Sequence, residues 1–199
     1  MKKYSAAITS SLLWVQESRK TAQYIIDGLT RDELCALSRA ENIYMAPSDD
    51  RKRKIANTTY DRLSSLPKEI IQILSECDYD TAKLITLLSV MMTDDLFNDF
   101  MIEVFKEKVV IGLNVVTRND VRIYLETKKE LYDDVKKISD ASFYKLGQTY
   151  IKFLIEAGLI NNAKEGKVQK PYIDYQLSNL LNQHGYKDYI TIITGETYL

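Results

Sequence analysis

Apolar residues recur at helical spacing along nearly the whole chain. Leu34, Leu37 and Ala40 lie three residues apart, and in segment 142–157 apolar residues recur every three or four positions. This period places the apolar side chains on one face of an amphipathic helix. Only seven Gly and three Pro residues interrupt the pattern. The sequence therefore predicts an all-α fold with at most minor β-structure.

Polar residues mark where several of these helices begin and end. Thr30 with Glu33 three residues later has the spacing of a capping box. Ser48 or Asp49 can cap a helix after Pro47, and Ser139-Asp140 can make a turn and cap another. The segment 142–157 should then form a strongly amphipathic helix that Gly158 ends.

The remaining segments predict where the chain divides. Residues 109–116 are rich in β-branched side chains and should form an irregular connection or a short strand. Asn119 can cap the helix that follows. Residues 161–170 should form a polar loop, after which Tyr172-Ile173 can return beside Leu159-Ile160. Residues 189–193 should be a short strand or an extended tail. We therefore expect a helical lobe over 1–110 with a basic helix-turn-helix-like segment and a winged-helix-like lobe over 111–199. The two lobes could also form one globular unit.

Charge and composition restrict the function. The formal net charge is −1, so any nucleic acid must be bound by a local basic patch. Cys35 and Cys77 each lie in an apolar helical pattern, which indicates buried thiols in a reducing compartment. No apolar stretch approaches the roughly 20 residues of a membrane span, and no signal peptide is recognisable. We expect a cytoplasmic protein without membrane contact.

Motifs for catalysis are missing from the sequence. It contains no glycine-rich phosphate loop, no GxSxG and no HExxH. His184, the single histidine, precedes Gly185 and is interpreted as a surface residue at a helix end. We predict no enzymatic activity, no catalytic residue, no metal, no cofactor and no small-molecule substrate.

The first candidate for nucleic-acid binding is a basic segment at the start of the third predicted helix. A helix-turn-helix places the start of its later helix against the DNA groove. The alternative is a solvated basic face that Asp49, Asp50 and Asp61 balance. The candidate DNA-binding residues here are Arg51, Lys52, Arg53, Lys54 and Asn57.

The second candidate follows the order of a winged helix-turn-helix: two helices, a Ser-Asp turn, an amphipathic helix and a lysine-bearing loop. The amphipathic helix should bury Leu146, Tyr150 and Phe153 and expose its opposite face. The alternative is a winged-helix module that contacts protein. Predicted DNA-binding residues are Ser142, Lys145, Gln148, Thr149 and Lys152 on the helix, and Lys164, Lys167 and Lys170 on the loop.

An ordered set of short strings resembles a known family. It comprises Tyr4-Ser5-Ala6, Thr9-Ser10, Glu17-Ser18, Glu41-Asn42, Arg62-Leu63, Asp99-Phe100, Lys145-Leu146-Gly147 and Glu156-Ala157-Gly158-Leu159. This order and spacing resembles the BrxA family of small core proteins in BREX (bacteriophage exclusion) phage-defence systems. The chain departs from the family pattern at Asp120-Val121, where an aromatic residue is expected after the acid.

The resemblance implies an all-helical accessory protein that binds double-stranded DNA through helix-turn-helix elements and has no catalysis of its own. It also implies other BREX components as partners, among them a methyltransferase or associated core proteins. The runner-up hypothesis is a helical adaptor that binds other BREX proteins, with incidental DNA contact.

Overall fold

Helices dominate the part of the chain that the structure describes. The computed structural model describes residues 4–196 and is 69% helical. Within these residues, β-pairing is limited to two isolated antiparallel bridges, Val115 with Lys167 and Ile160 with Val168. The prediction of an all-α fold is confirmed.

The chain divides into two units, and its N-terminal segment belongs to the same unit as its C-terminal half. The middle unit is residues 14–93, and the terminal unit is residues 4–13 with 94–196. The predicted division at residue 110 therefore falls inside the terminal unit. The middle unit contains α1 (Val15–Ile26), α2 (Arg31–Glu41), α3 (Asp49–Leu63), α4 (Lys68–Glu76) and α5 (Tyr79–Thr93).

The terminal unit begins with a 3₁₀ turn over Ala7–Ser10 and resumes after α5. A π-helical segment, Met101–Lys106, joins its first two α-helices. Its helices are α6 (Asp95–Phe100), α7 (Glu107–Val110), α8 (Arg118–Leu131), α9 (Asp133–Lys136), α10 (Asp140–Glu156), α11 (Tyr175–Gln183) and α12 (Lys187–Thr194).

Local capping explains where the helices of the middle unit begin. The Thr30 and Glu33 side chains each accept a hydrogen bond from the other's backbone N–H, which confirms the predicted capping box. Ser48 caps α3 by accepting from the N–H of Arg51. Helix α5 is buried along most of its length, as its continuous apolar sequence requires.

Aromatic packing fixes α10 in the terminal unit. The ring of Tyr150 lies 4.9 Å from that of Phe97 and 5.2 Å from that of Phe100, and Phe153 lies 5.5 Å from Phe97. All four side chains are fully buried. Because this face of α10 is held in the core, the opposite face is presented outward.

Backbone hydrogen bonds of two β-bridges hold the loop that follows α10 in place. The N–H of Val116 donates to Gly166 O over 2.8 Å, and the N–H of Val168 donates to Asn114 O over 2.9 Å. On the other side, the N–H of Gln169 donates to Leu159 O over 2.8 Å. Segment 166–169 therefore lies between the segment that precedes α8 and the segment that follows α10.

Three local predictions were wrong. Thr117, not Asn119, caps α8, because its side chain forms a capping box with Asp120. The chain returns beside Ile160 at Val168 and not at Tyr172-Ile173, because the loop turns earlier at Gly166. Residues 189–193 belong to α12, whose buried side chains follow helical and not alternating spacing.

Candidate nucleic-acid interface

The outward face of α10 carries three of the predicted contact residues. Lys145, Gln148 and Lys152 are exposed and lie three or four residues apart, so they form one stripe along the helix. Segment 140–156 is helical because Ser139 caps its start, and Gly158 takes a left-handed conformation just after its end. The stripe presents two ammonium groups and one amide to solvent.

The other two predicted residues of α10 serve the fold. Thr149 is only 7% exposed, so its assignment to the solvent-facing stripe was wrong. Its hydroxyl donates to Lys145 O over 2.9 Å, a bond within the helix that lets the side chain pack inward. Ser142 is half-buried, and its hydroxyl accepts from that of Ser139 at the helix start over 3.0 Å.

Asparagine side chains hold the loop after α10 in one shape. Asn162 Oδ1 accepts from the N–H groups of Lys164 and Glu165, and Asn161 Oδ1 accepts from the N–H of Lys167. Gly166 has φ +63°, and a Cβ at this position would lie 2.1 Å from Val116 O. The loop therefore requires glycine where it approaches the neighbouring backbone.

The lysines of this loop are exposed and weakly paired. Lys167 lies 3.4 Å from Glu165, and Lys170 lies 3.7 Å from Glu196. On α10, Lys152 lies 3.7 Å from Glu156, whereas Lys145 and Lys164 have no ion pair within residues 4–196. Exposed pairs of this kind contribute about 0–1 kcal/mol, so these ammonium groups can exchange partners for a bound anion.

The N-terminal segment contributes to this surface, which the helical pattern did not predict. A cleft of about 230 Å³ separates the 3₁₀ turn from α10, and Thr9 and Ser11 line it opposite Lys145 and Lys152. The N–H of Leu13 donates to Glu156 over 2.9 Å and so fixes the segment beside the helix. A contact over 143 residues of chain leaves no signal in local periodicity.

Several side chains in the basic segment of α3 contact other residues of the middle unit. The guanidinium carbon of Arg51 lies 4.9 Å from the ring centroid of Trp14, a cation–π distance. Lys52 lies 2.9 Å from Asp49 and also donates to Arg39 O at the end of α2 over 3.4 Å. Arg53 is exposed and lies 3.5 Å from Asp50.

Lys54 and Asn57 complete this segment, and both are half-buried. Burial lowers the pKa of the Lys54 ammonium, and the charges of Arg51 and Arg62 lower it further. Lys54 thus lies close to two other cations of α3. Of the five candidate residues on α3, Arg53 is exposed, and Arg51, Lys52, Lys54 and Asn57 are half-buried.

Residues 4–196 present no recognisable metal centre or membrane span. No group of three His, Cys, Asp or Glu side chains in this range is placed to hold a metal ion. None of the helices in the range is both long and apolar enough to cross a bilayer. The exposed lysines of α10 and its loop remain the best-formed candidate site.

These features define a small all-α protein whose candidate site is an exposed cationic surface. The family model BrxA matches residues 2–185. A BREX protein BrxA of Bacillus cereus (strain H3081.97) is 34% identical over 194 residues, which cover 97% of each chain. The chain therefore belongs to the BrxA family and is a component of a BREX phage-defence system.

More distant relatives extend over the same length. A BREX protein BrxA of Escherichia coli O9:H4 (strain HS) is 24% identical and covers 92% of this chain and 86% of its own. A crystal structure of an uncharacterized protein from Magnetospirillum magneticum matches with a TM-score of 0.82 at 20% identity. That match covers 98% of this chain and 100% of the other. The last comparison supports the fold alone.

Proposed function

We propose that this protein is a non-enzymatic accessory component of BREX defence that binds double-stranded DNA through a winged helix-turn-helix. The proposed module is segment 95–170 of the terminal unit. Helix α10 would enter the major groove, and the loop 161–167 would be the wing that reaches the adjacent backbone.

The observation that carries this proposal is the order of bridges and helices around α10. Val115, which takes part in one bridge, precedes α8, and Ile160 and Val168 form the other bridge after α10. The returning segment pairs with both others, and this order supports the interpretation of the loop as a wing. Exposed lysines on α10 and on the loop provide the cations that a duplex requires.

The stripe on α10 suggests how contacts would be divided. Lys145 and Lys152 are about two helical turns apart and suit phosphates along the backbone. Gln148 lies between them and carries the amide that pairs with adenine in a major groove.

The test is a titration of labelled duplex DNA with the full chain at two salt concentrations. The proposal expects binding that weakens as salt rises, with a slope that reports the number of neutralised phosphates. A Gln148→Ala variant should lose affinity for some sequences more than for others. Absence of duplex binding at low salt would reject the proposal.

A second candidate function is that of an adaptor for other BREX proteins. It is favoured by a run of exposed apolar side chains directly before α8: Val110, Ile111, Leu113 and Val115 are between 40% and 63% exposed. Clustered apolar exposure of this kind is typical of protein-binding surfaces. If replacing Lys145 and Lys152 abolishes co-purification with other BREX proteins but not DNA binding, the adaptor function is favoured.

A further inference from the structure

A groove between α8 and α10 lies beside the lysine stripe. It has a volume of about 270 Å³, and Leu125, Phe143 and Gly147 line its floor. This is slightly smaller than the roughly 300–1,000 Å³ of sites for drug-sized ligands, so it suits one large side chain and not a cofactor. Tyr144, 70% exposed, stands at its rim.

The floor of the groove contains a glycine that packing does not require. Gly147 lies inside the 17-residue α10, where glycine is less favourable than alanine. A Cβ there would lie 3.9 Å from Leu125 Cδ1 and from Val121 Cγ1, which is ordinary contact distance. Its backbone does not have the positive φ that favours glycine. The missing side chain thus keeps the groove open.

The charges at the rim are paired, with one exception. Arg122 bonds both carboxylate oxygens of Glu126 over 2.9 and 3.0 Å, and Asp140 pairs with Lys129 over 2.9 Å. Arg118 is exposed and has no ion pair within residues 4–196. The groove therefore combines an apolar floor with one available cation.

We propose that the α8–α10 groove is a docking site for a partner protein, which inserts an aromatic side chain and places a neighbouring carboxylate on Arg118. Interfaces are commonly anchored by one such side chain in a preformed pocket. Charge complementarity selects an acidic partner segment. The groove borders the lysine stripe through Gln148, which lines it, but the proposal does not depend on DNA binding.

The probes are three blocked dipeptides, titrated into the ¹⁵N-labelled full chain and followed by chemical-shift changes. We expect N-acetyl-Trp-Glu-amide to shift resonances of the groove. It should bind about threefold or more tightly than N-acetyl-Trp-Lys-amide, the size of effect that exposed ion pairs support. N-acetyl-Ala-Glu-amide should bind more than about tenfold more weakly, because it lacks the buried ring.

Two variants test the groove itself. Gly147→Met should fill the floor and abolish the shifts while leaving the protein folded, since methionine favours a helix. Arg118→Glu should reverse the preference toward the lysine dipeptide, and an acid is well placed in the first turn of α8. Lys187→Glu, in the first turn of α12 and outside the groove, is the control and should bind as the wild type does.

Three results would overturn the proposal. One is that the glutamate and lysine dipeptides bind equally well or not at all. Another is that binding persists in Gly147→Met. The third is that Gly147→Met weakens duplex DNA binding, which would assign the groove to a DNA-facing surface. Because Gly147→Met changes no charge, this last measurement separates failure of the groove from failure of DNA binding by the lysines.

Discussion

The hydroxyl of Tyr4 donates a hydrogen bond to Asp99 Oδ2 over 2.6 Å, although the two residues are 95 positions apart. Both side chains are buried, and burial together with the neighbouring carboxylate raises the pKa of Tyr4. The hydroxyl therefore stays protonated and able to donate. This bond attaches the N-terminal segment to the helix that begins at Asp95.

A buried lysine completes the same cluster. Lys128 Nζ lies 3.6 Å from Asp99 and 2.7 Å from Glu103. The rings of Tyr4, Tyr124 and Tyr132 surround the ammonium at 5.3–5.6 Å, within cation–π distance. The charge on Asp99 is thus compensated by a cation and by a hydroxyl donor.

Replacing members of this cluster should destabilise the protein. Tyr4→Phe removes the donor to a buried carboxylate and should lower the free energy of unfolding by about 1–3 kcal/mol. Lys128→Met leaves buried acid without its cation and should cost about 3–5 kcal/mol. Urea denaturation measures both. Tyr144→Phe, at an exposed tyrosine, is the control and should be as stable as the wild type. If Tyr4→Phe is also as stable as the wild type, its hydrogen bond does not stabilise the fold.

Replacement by alanine should destabilise the protein to different extents at Gly158, just after α10, and at Gly166, in the loop that follows. Both have positive φ, which costs an L-residue roughly 1–2 kcal/mol. A Cβ at Gly158 meets nothing within 4 Å, whereas at Gly166 it would collide with Val116 O. Thermal denaturation should therefore show a larger loss for Gly166→Ala than for Gly158→Ala. Equal losses would mean that the loop does not approach Val116 as described.

Tyr150 is fully buried, and its hydroxyl has no hydrogen-bond partner within residues 4–196. An unsatisfied buried polar group costs about 1–3 kcal/mol, so Tyr150→Phe should leave stability unchanged or raise it. The measurement is the free energy of unfolding in urea, with Phe153→Leu as a variant that loses packing and should be less stable. A Tyr150→Phe protein that is clearly less stable would reveal a bond from this hydroxyl.

Asp120 should make the terminal unit sensitive to acid. Burial raises the pKa of its carboxyl, but hydrogen bonds from Lys108 and Thr117 outweigh burial and lower it below the ordinary 3.8. A lowered folded-state pKa gives stability that is complete above the unfolded value and is lost as pH falls through the folded value. Asp120→Asn should therefore be less stable than the wild type at neutral pH.

The difference in stability between the wild type and Asp120→Asn should narrow as pH falls below about 4. Melting temperatures from pH 7 to pH 2.5 would test this. A constant difference across that range would exclude Asp120 as the titrating group.

The sequence predicted what local chemistry determines. Helical periodicity and caps located α2, α3 and α10, because Thr30, Ser48 and Ser139 act within their own first turns. Periodicity also predicted the exposure of Lys145 and Lys152 on α10. The burial of Thr149 was missed, because the 3₁₀ turn that packs near it lies 140 residues earlier.

The basic segment of α3 illustrates the same limit. Four adjacent bases suggest an exposed face, yet Arg51 stacks on Trp14, which is 37 residues away in the sequence. The loop after α10 was predicted as polar, but its return at Val168 depends on pairing with Asn114. Contacts between distant segments therefore decided where local predictions were wrong.

In the proposed DNA complex, Lys145 and Lys152 bind backbone phosphates of the duplex. The most direct measurement is the salt dependence of duplex affinity for the wild type and for Lys145→Ala/Lys152→Ala, by fluorescence anisotropy. Each lysine that neutralises a phosphate contributes about 0.9 to the log–log slope, so the double variant should bind more weakly and flatten the slope by roughly two units. Lys187→Ala, at an exposed lysine of α12, should keep the wild-type slope. An unchanged affinity and slope in the double variant would contradict the claim.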